Sequence, residues 1–325
     1  ASMAFTSGTL PKGSTTSASR MKAERSSEGM GRYDIRPMSR AAFLCLLAGG
    51  CAIAFAPIFV RLSDTGPVAS AFWRCALAAP FLWLWVFKQP SPQPSPKGEG
   101  ARRFAPLLLA GLFFAGDLGV WHWSIAWTSV ANATLLANLA PIFVTLAGWL
   151  LWKRQVTRTF LLGMFVAIAG MFILVGPNFS IGGTRLLGDA LGALSAVFYA
   201  AYMLAIKQAR DAQASTARLM AWSTTITAIV LLPIALLSPQ PMIPAGAQGW
   251  LVLVALALVA QVLGQGLIAF AFAHLPASLS SVSLLIQPVV AALAAWALFG
   301  ERIGAAQLLG GAVVLTGIYL ARRGS

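Results

Sequence analysis

Apolar residues in this chain run in long unbroken stretches, and turn residues or charges cut the stretches into ten segments. They run roughly 41–62, 67–87, 104–127, 131–152, 158–176, 186–207, 216–237, 248–273, 277–299 and 304–321. Most are long enough for a helix to cross a hydrocarbon core about 30 Å thick with some tilt. A β-barrel would instead show short runs of alternating residues. The pattern predicts an all-α polytopic membrane protein with ten transmembrane helices. Residues 1–40 are polar and lack an apolar h-region, so they read as a disordered cytoplasmic tail without a signal peptide. Residues 88–103 form a Pro-rich connection.

Composition sharpens this. The chain has 325 residues, 58% hydrophobic and only 10% charged, with a mean hydropathy of +0.78. A soluble domain carries about 25% charged residues. The balance excludes a soluble enzyme, a disordered protein and a disulfide scaffold. The formal charge is +14, which on a soluble chain would suggest nucleic acid. With the tail inside, nineteen of the 23 Lys and Arg fall on the inner side, and only Arg61, Arg185 and Arg302 fall outside. That is a strong positive-inside bias, and it predicts cytoplasmic N- and C-termini. It accounts for the charge with no nucleic-acid partner and suits a face towards anionic lipid. The remaining cation, Arg74, lies within a span. Cys45, Cys51 and Cys75 sit in apolar segments with no CxxC spacing, so no metal site, redox pair or cofactor is predicted.

The chain also repeats itself at an offset of 147 residues: Pro141 falls on Pro288 and Trp149 on Trp296. Gly119, Gly163 and Gly170 fall on Gly266, Gly310 and Gly317. Leu and Ala coincide often by chance in apolar sequence, whereas Pro, Trp and Gly pairs at one offset weigh more. The expected organisation is a tail at 1–40, a five-helix repeat at 41–176, a linker at 177–185 and a second five-helix repeat at 186–321. Five is odd, so the second repeat enters the membrane upside down. Two inverted five-helix repeats with a midplane substrate site are a recurring plan of secondary transporters. A purely structural duplication is the alternative.

Several stretches resemble a known family. Ala56-Pro-Ile-Phe-Val-Arg-Leu-Ser and Gly66-Pro-Val-Ala-Ser-Ala-Phe-Trp-Arg74 are similar to the first two helices of EamA-type members of the drug/metabolite transporter superfamily. Leu298-Phe-Gly-Glu-Arg-Ile-Gly-Ala-Ala-Gln-Leu-Leu-Gly310, followed by Gly317, resembles the junction of that family's last two helices. The first repeat departs from the pattern, with Arg154 where the second repeat has Glu301. The resemblance implies ten helices, a bacterial-type inner membrane and export of small metabolites, often amino acids. A drug or another metabolite, such as a nucleoside or a cofactor, is the alternative cargo.

Polar groups within the spans are the candidate site. Arg74 could hold a substrate carboxylate with its planar fork, or pair with a helix end, Asp64 or Asp189. Asp117, Trp121, Ser124 and Thr128 share one helical stripe. There the carboxylate could meet an ammonium or a proton and the indole an apolar or aromatic body. The other reading is a hydrogen-bonded Asp in the packing. Trp73, Tyr199, Tyr202, Gln265 and Ser283 are the further predicted lining residues. Pro141 and Pro288, each mid-helix, are hinge candidates. His122, on another face of its helix, reads as a packing histidine whose hydrogen bonds are met.

Small-residue faces such as Gly188, Gly192, Ala196 and Ala200 allow close helix packing, so monomer and homodimer both fit. One mid-span carboxylate permits proton antiport without requiring it. An intramembrane enzyme would need clustered acid, base or nucleophile groups. Asp117 and His122 stand about 140° apart round their helix, which disfavours an enzyme. A passive channel or a lipid-handling protein is a third class.

Overall fold

The structure is a computed structural model and describes residues 39–89, 99–128, 130–175, 186–300 and 303–325. Most of the tail, the middle of the Pro-rich connection, the 177–185 linker and Arg185, Glu301 and Arg302 lie outside the described residues. Among the described residues ten spans are long and apolar enough to cross a membrane. They are α1 (Arg40–Leu62), α2 (Pro67–Phe87), α3 (Phe104–Ser124), α4 (Asn132–Trp152) and α5 (Arg158–Val175). Then come α6 (Leu186–Asp211), α7 (Thr216–Leu237), α8 (Ala247–Ala271), α9 (Ala277–Phe299) and α10 (Ala305–Arg323). The helix carrying α3 runs Glu99–Trp127 in full.

Local chemistry sets the ends. Ser39 caps α1 by accepting from the Ala42 N–H at 3.3 Å, and Ser215 caps α7 from the Arg218 N–H at 3.3 Å. Pro67 opens α2, where its missing N–H costs nothing. Large apolar side chains such as Leu44, Leu150, Leu151, Phe165, Ile229 and Leu251 stand exposed on the outside of the bundle. A monomer in water rarely carries such a belt; in a bilayer it is the lipid-facing surface.

Four spans are irregular at mid-depth. α1 is two helices, Arg40–Ile53 and Ala56–Leu62. α4 is likewise Val130–Ala137 and Ala140–Trp152, and α9 is Ala277–Ser283 and Ile286–Phe299. The second pieces carry Pro57, Pro141 and Pro288 in their first turns. Proline lacks an N–H and crowds the carbonyl four residues back, so the ladder parts there. In α8 no proline intervenes, yet Leu256–Gln265 winds as a π-helix. Such wide turns also free backbone groups and recur at functional sites.

The halves are related in space as in sequence. α5 packs on α10 and α2 on α7. α3 packs on α6 as α8 does on α1, and α4 packs on α6 as α9 does on α1. Exchanging each helix with the one five places along returns the same pattern. α4 and α9 even stop on the same geometry: Lys153 (φ 50°) and Gly300 (φ 66°) are both left-handed and stand one repeat offset apart. Where α5 meets α10, a Cβ on Gly163 would lie 2.7 Å from the Gly317 carbonyl oxygen, and one on Gly170 would lie 2.9 Å from that of Gly310. Gly163 corresponds to Gly310 and Gly170 to Gly317, so each contact is the image of the other. Numbers rise along α5 as they fall along α10, so these equivalent helices run antiparallel. Only glycine lets the backbones approach this closely.

Candidate functional site

The breaks in α1, α4 and α9 and the π-helix of α8 surround a cavity of about 170 Å³ at the middle of the bundle. α2, α3 and α6 complete its wall. From mid-depth it extends towards the membrane face where α1 ends and α2 begins, along Ala56, Pro57, Val60, Ala71 and Ala291. Its wall is mainly apolar, with a few converging polar groups, which is the usual character of a small-molecule site.

Two of the groups that line it, Arg74 and Asp117, are those that ordinarily carry a full charge. Arg74, on α2, is 7% exposed. Its Nε donates to Gln261 Oε1 at 2.9 Å, and its guanidinium lies 5.6 Å from the Phe114 ring centroid. Gln261 Nε2 donates in turn to Thr224 Oγ1 at 3.0 Å, so Arg74 is held from α8 and α7. Asp117, on α3, accepts from the Ser195 hydroxyl of α6 at 2.7 Å. The partners named here are neutral, and buried charges are held in place by such hydrogen bonds. Trp121, Phe114 and Tyr199 supply aromatic surface beside them.

The structure brings together Arg74, Asp117, Trp121, Tyr199, Gln265 and the hinge candidate Pro288 on this one wall. Tyr202 stands behind it: fully buried, stacked on Phe114 with centroids 4.5 Å apart, and donating to Gln265 Oε1 at 3.2 Å. It supports the wall without lining it. Trp73 points elsewhere, donating its indole N–H to Met242 O at 2.8 Å and meeting Trp250 edge-on at 4.9 Å. Ser283 is fully buried and returns its hydroxyl to Leu279 O at 2.8 Å, one turn back along α9. Pro141 is buried in the first turn of its half-helix and is not among the lining residues.

Some sequence expectations change. Arg74 Nε is held by Gln261 rather than by Asp64 or Asp189. Asp64 instead accepts from the Ala245 N–H at 2.8 Å, and Asp189 accepts from Thr128 at 2.7 Å and Asn132 at 3.0 Å. The outer part of the Asp117 stripe therefore holds α6 rather than cargo, since Ser124 also donates to Gly188 O at 2.7 Å. Trp123, two residues along α3 from Trp121, is half exposed. His122 lines the cavity, and its Nε2 has no hydrogen-bond partner. Asn138 and Gln287, beside the breaks in α4 and α9, line it too. Their place next to proline was the visible signal, although on sequence alone they could equally have served the freed backbone. Asn138 does both, donating to Thr134 O at 2.8 Å.

Among the described residues no group of His, Cys, Asp and Glu could hold a metal ion. A second, smaller cavity of about 60 Å³ lies between α4, α6 and α9 towards the opposite membrane face. Lys207 and Asp211, paired at 2.7 Å, line it with Val144, Trp152 and Arg154. Val144 is the repeat equivalent of Ala291 in the large cavity.

Comparison with known proteins places these features. The EamA-like transporter family model matches residues 40–176 and again 186–323, one copy per half. The pseudopaline exporter CntI of Pseudomonas aeruginosa (strain UCBPP-PA14) is 29% identical over 66% of this chain and 74% of its own length. An uncharacterized transporter of Archaeoglobus fulgidus is 26% identical over 81% of this chain and 91% of its own. One solved crystal structure superposes with a TM-score of 0.72, covering 86% of this chain and 96% of that one at 18% identity, which is a likeness of fold.

Proposed function

This chain belongs to the EamA-like transporter family and is a multi-pass membrane transporter, and we propose that it exports small amphipathic metabolites, neutral or aromatic amino acids foremost. The observation that carries this reading is Arg74 and Asp117 on the wall of one apolar cavity. A guanidinium fork suits a carboxylate. A carboxylate suits an ammonium, and the surface of Trp121, Phe114 and Tyr199 suits an apolar or aromatic body. A zwitterion with such a body uses all three. Export is also what the Pseudomonas relative is named for, although its cargo is its own.

The carrier works by alternating access between two inverted halves. The antiparallel run of α5 and α10 and the self-mapping of the helix pairs support the inversion. The small cavity beside Val144 is then the closed counterpart of the open mouth beside Ala291. Rocking about the breaks in α1, α4 and α9 would close one and open the other. The cation distribution supports the inner membrane with both termini cytoplasmic, which puts the open mouth on the outer side. Protons are an optional coupling ion through Asp117.

The test is flux into liposomes holding the purified protein. Labelled neutral and aromatic amino acids are expected to show saturable counterflow. Saturable flux of nucleosides or cofactors alone would replace the cargo class, and steady uncoupled conductance would replace the carrier with a channel.

A further inference from the structure

His122 is 5% exposed, on the cavity-facing arc of α3, and its Nε2 is one of two buried polar atoms of cavity-lining residues that have no hydrogen-bond partner; the other is the Gln287 amide nitrogen. A buried polar atom without a partner is rare and asks for a reason. The other ring nitrogen of His122, Nδ1, lies 2.5 Å from Leu118 O. A carbonyl oxygen can only accept, so Nδ1 carries the proton, and in the neutral ring Nε2 is left as a bare acceptor. The edge-on contact with Trp121, centroids 5.0 Å apart, holds the ring in place.

Position along α3 says what this acceptor can read. At about 100° per residue, Asp117, Trp121, Phe114, Leu118 and His122 fall in that order round the helix, spanning about 140°. All five line the cavity. Asp117 and His122 are therefore the two polar edges of one arc whose middle is aromatic and apolar. They meet different atoms of a bound molecule.

We propose that His122 Nε2 accepts a hydrogen bond from the cargo, and that the cargo carries a neutral O–H or N–H at the end remote from its ammonium. This rests on the amino-acid reading above and narrows it to amino acids with a hydrogen-bonding side chain. A site that offers a desolvated acceptor rejects the analogue without the donor, because the acceptor is then left unpaired.

The test pairs transport with spectroscopy. Counterflow is measured for L-tyrosine against L-phenylalanine and for L-serine against L-alanine, in wild type, His122→Leu and His122→Gln. Wild type is expected to favour the hydroxylated member by about tenfold in KM. His122→Leu should erase that preference, and His122→Gln, which keeps an acceptor, should restore part of it. Equal KM values within each pair for wild type, or a preference that survives in His122→Leu, overturns the proposal. The 15N spectrum of histidine-labelled protein gives a readout that needs no cargo. The chain has two histidines, so His122→Gln identifies the signal. A proton on Nδ1 with a bare Nε2 supports the acceptor role, and a proton on Nε2 overturns it. If no amino acid exchanges at all, the cargo class falls, while the spectrum still decides the state of His122.

Discussion

The Arg74 Nε donates to Gln261 Oε1 at 2.9 Å, joining the buried cation of α2 to the π-helical stretch of α8. Both side chains are buried, so the Arg74 Nε and the Gln261 Oε1 depend on each other for a partner. Gln261→Leu should therefore misplace Arg74 and cost about 1–3 kcal/mol of stability through the stranded guanidinium. Arg74→Ala removes the buried charge and leaves only the neutral Gln261 Oε1 without its donor. It should insert and fold, yet lose most transport of carboxylate-bearing cargo. Thermal unfolding and counterflow on the same preparations separate the two effects. Wild-type flux in Arg74→Ala removes Arg74 from the site.

Asp117 and Ser195 test the other charge. Asp117→Asn keeps an oxygen for the Ser195 hydroxyl, which now donates to Asp117 at 2.7 Å. Only the charge is lost, so KM for ammonium-bearing cargo should rise about tenfold or more with little change in stability. Ser195→Ala keeps the charge and should cost about 1 kcal/mol of stability. If Asp117→Asn transports as wild type, its carboxylate belongs to packing.

Much of this was legible in the sequence, because a bilayer makes strong demands on composition. Ten spans followed from unbroken apolar length. The 147-residue offset marks Gly163 and Gly170 as the equivalents of Gly310 and Gly317 and as sites of close packing; that Gly163 meets Gly317 and Gly170 meets Gly310 comes from the structure. Arg74 and Asp117 stood out because charge at that depth is rare. Rotation about a helix axis was harder to read. Tyr202 and Ser283 share faces with lining residues, but neighbouring helices draw them into the packing instead, and Trp73 is turned about 100° from Arg74 round α2. The π-helix of α8 has no proline to announce it, and the break in α1 turns on Pro57, which has no counterpart at the repeat offset. His122 reads in the sequence as a packing histidine on another face of α3, whereas the cavity follows a wide arc of that helix, takes in the ring and leaves its Nε2 without a partner.

The glycine seam between α5 and α10 gives a packing prediction. A Cβ on Gly163 would lie 2.2 Å from the Ala321 nitrogen. The obstacle is backbone, so the helices must move apart. Gly163→Ala should lower stability by roughly 1–3 kcal/mol. Gly148 has nothing within 4 Å of its would-be Cβ, so Gly148→Ala should be neutral or stabilise by up to about 1 kcal/mol through helix propensity. Thermal unfolding in detergent compares them, and equal shifts for both variants would contradict the seam.

Ala291 and Val144 report on the two mouths. In a background without Cys45, Cys51 and Cys75, Ala291→Cys should react with an impermeant maleimide from the outer side. Val144→Cys, buried in this state, should react slowly and from the inner side. Conditions that favour the other state should reverse the two. If both residues label together, or neither responds, the two cavities are not alternating mouths.

The most direct measurement of the central account compares three labelled molecules in counterflow: L-tyrosine, its decarboxylated amine and its deaminated acid. Arg74 and Asp117 on one wall predict strong saturable exchange of the amino acid and weak exchange of both halves. Exchange of the amine or the acid as fast as the amino acid, or no saturable exchange of the amino acid, would contradict it.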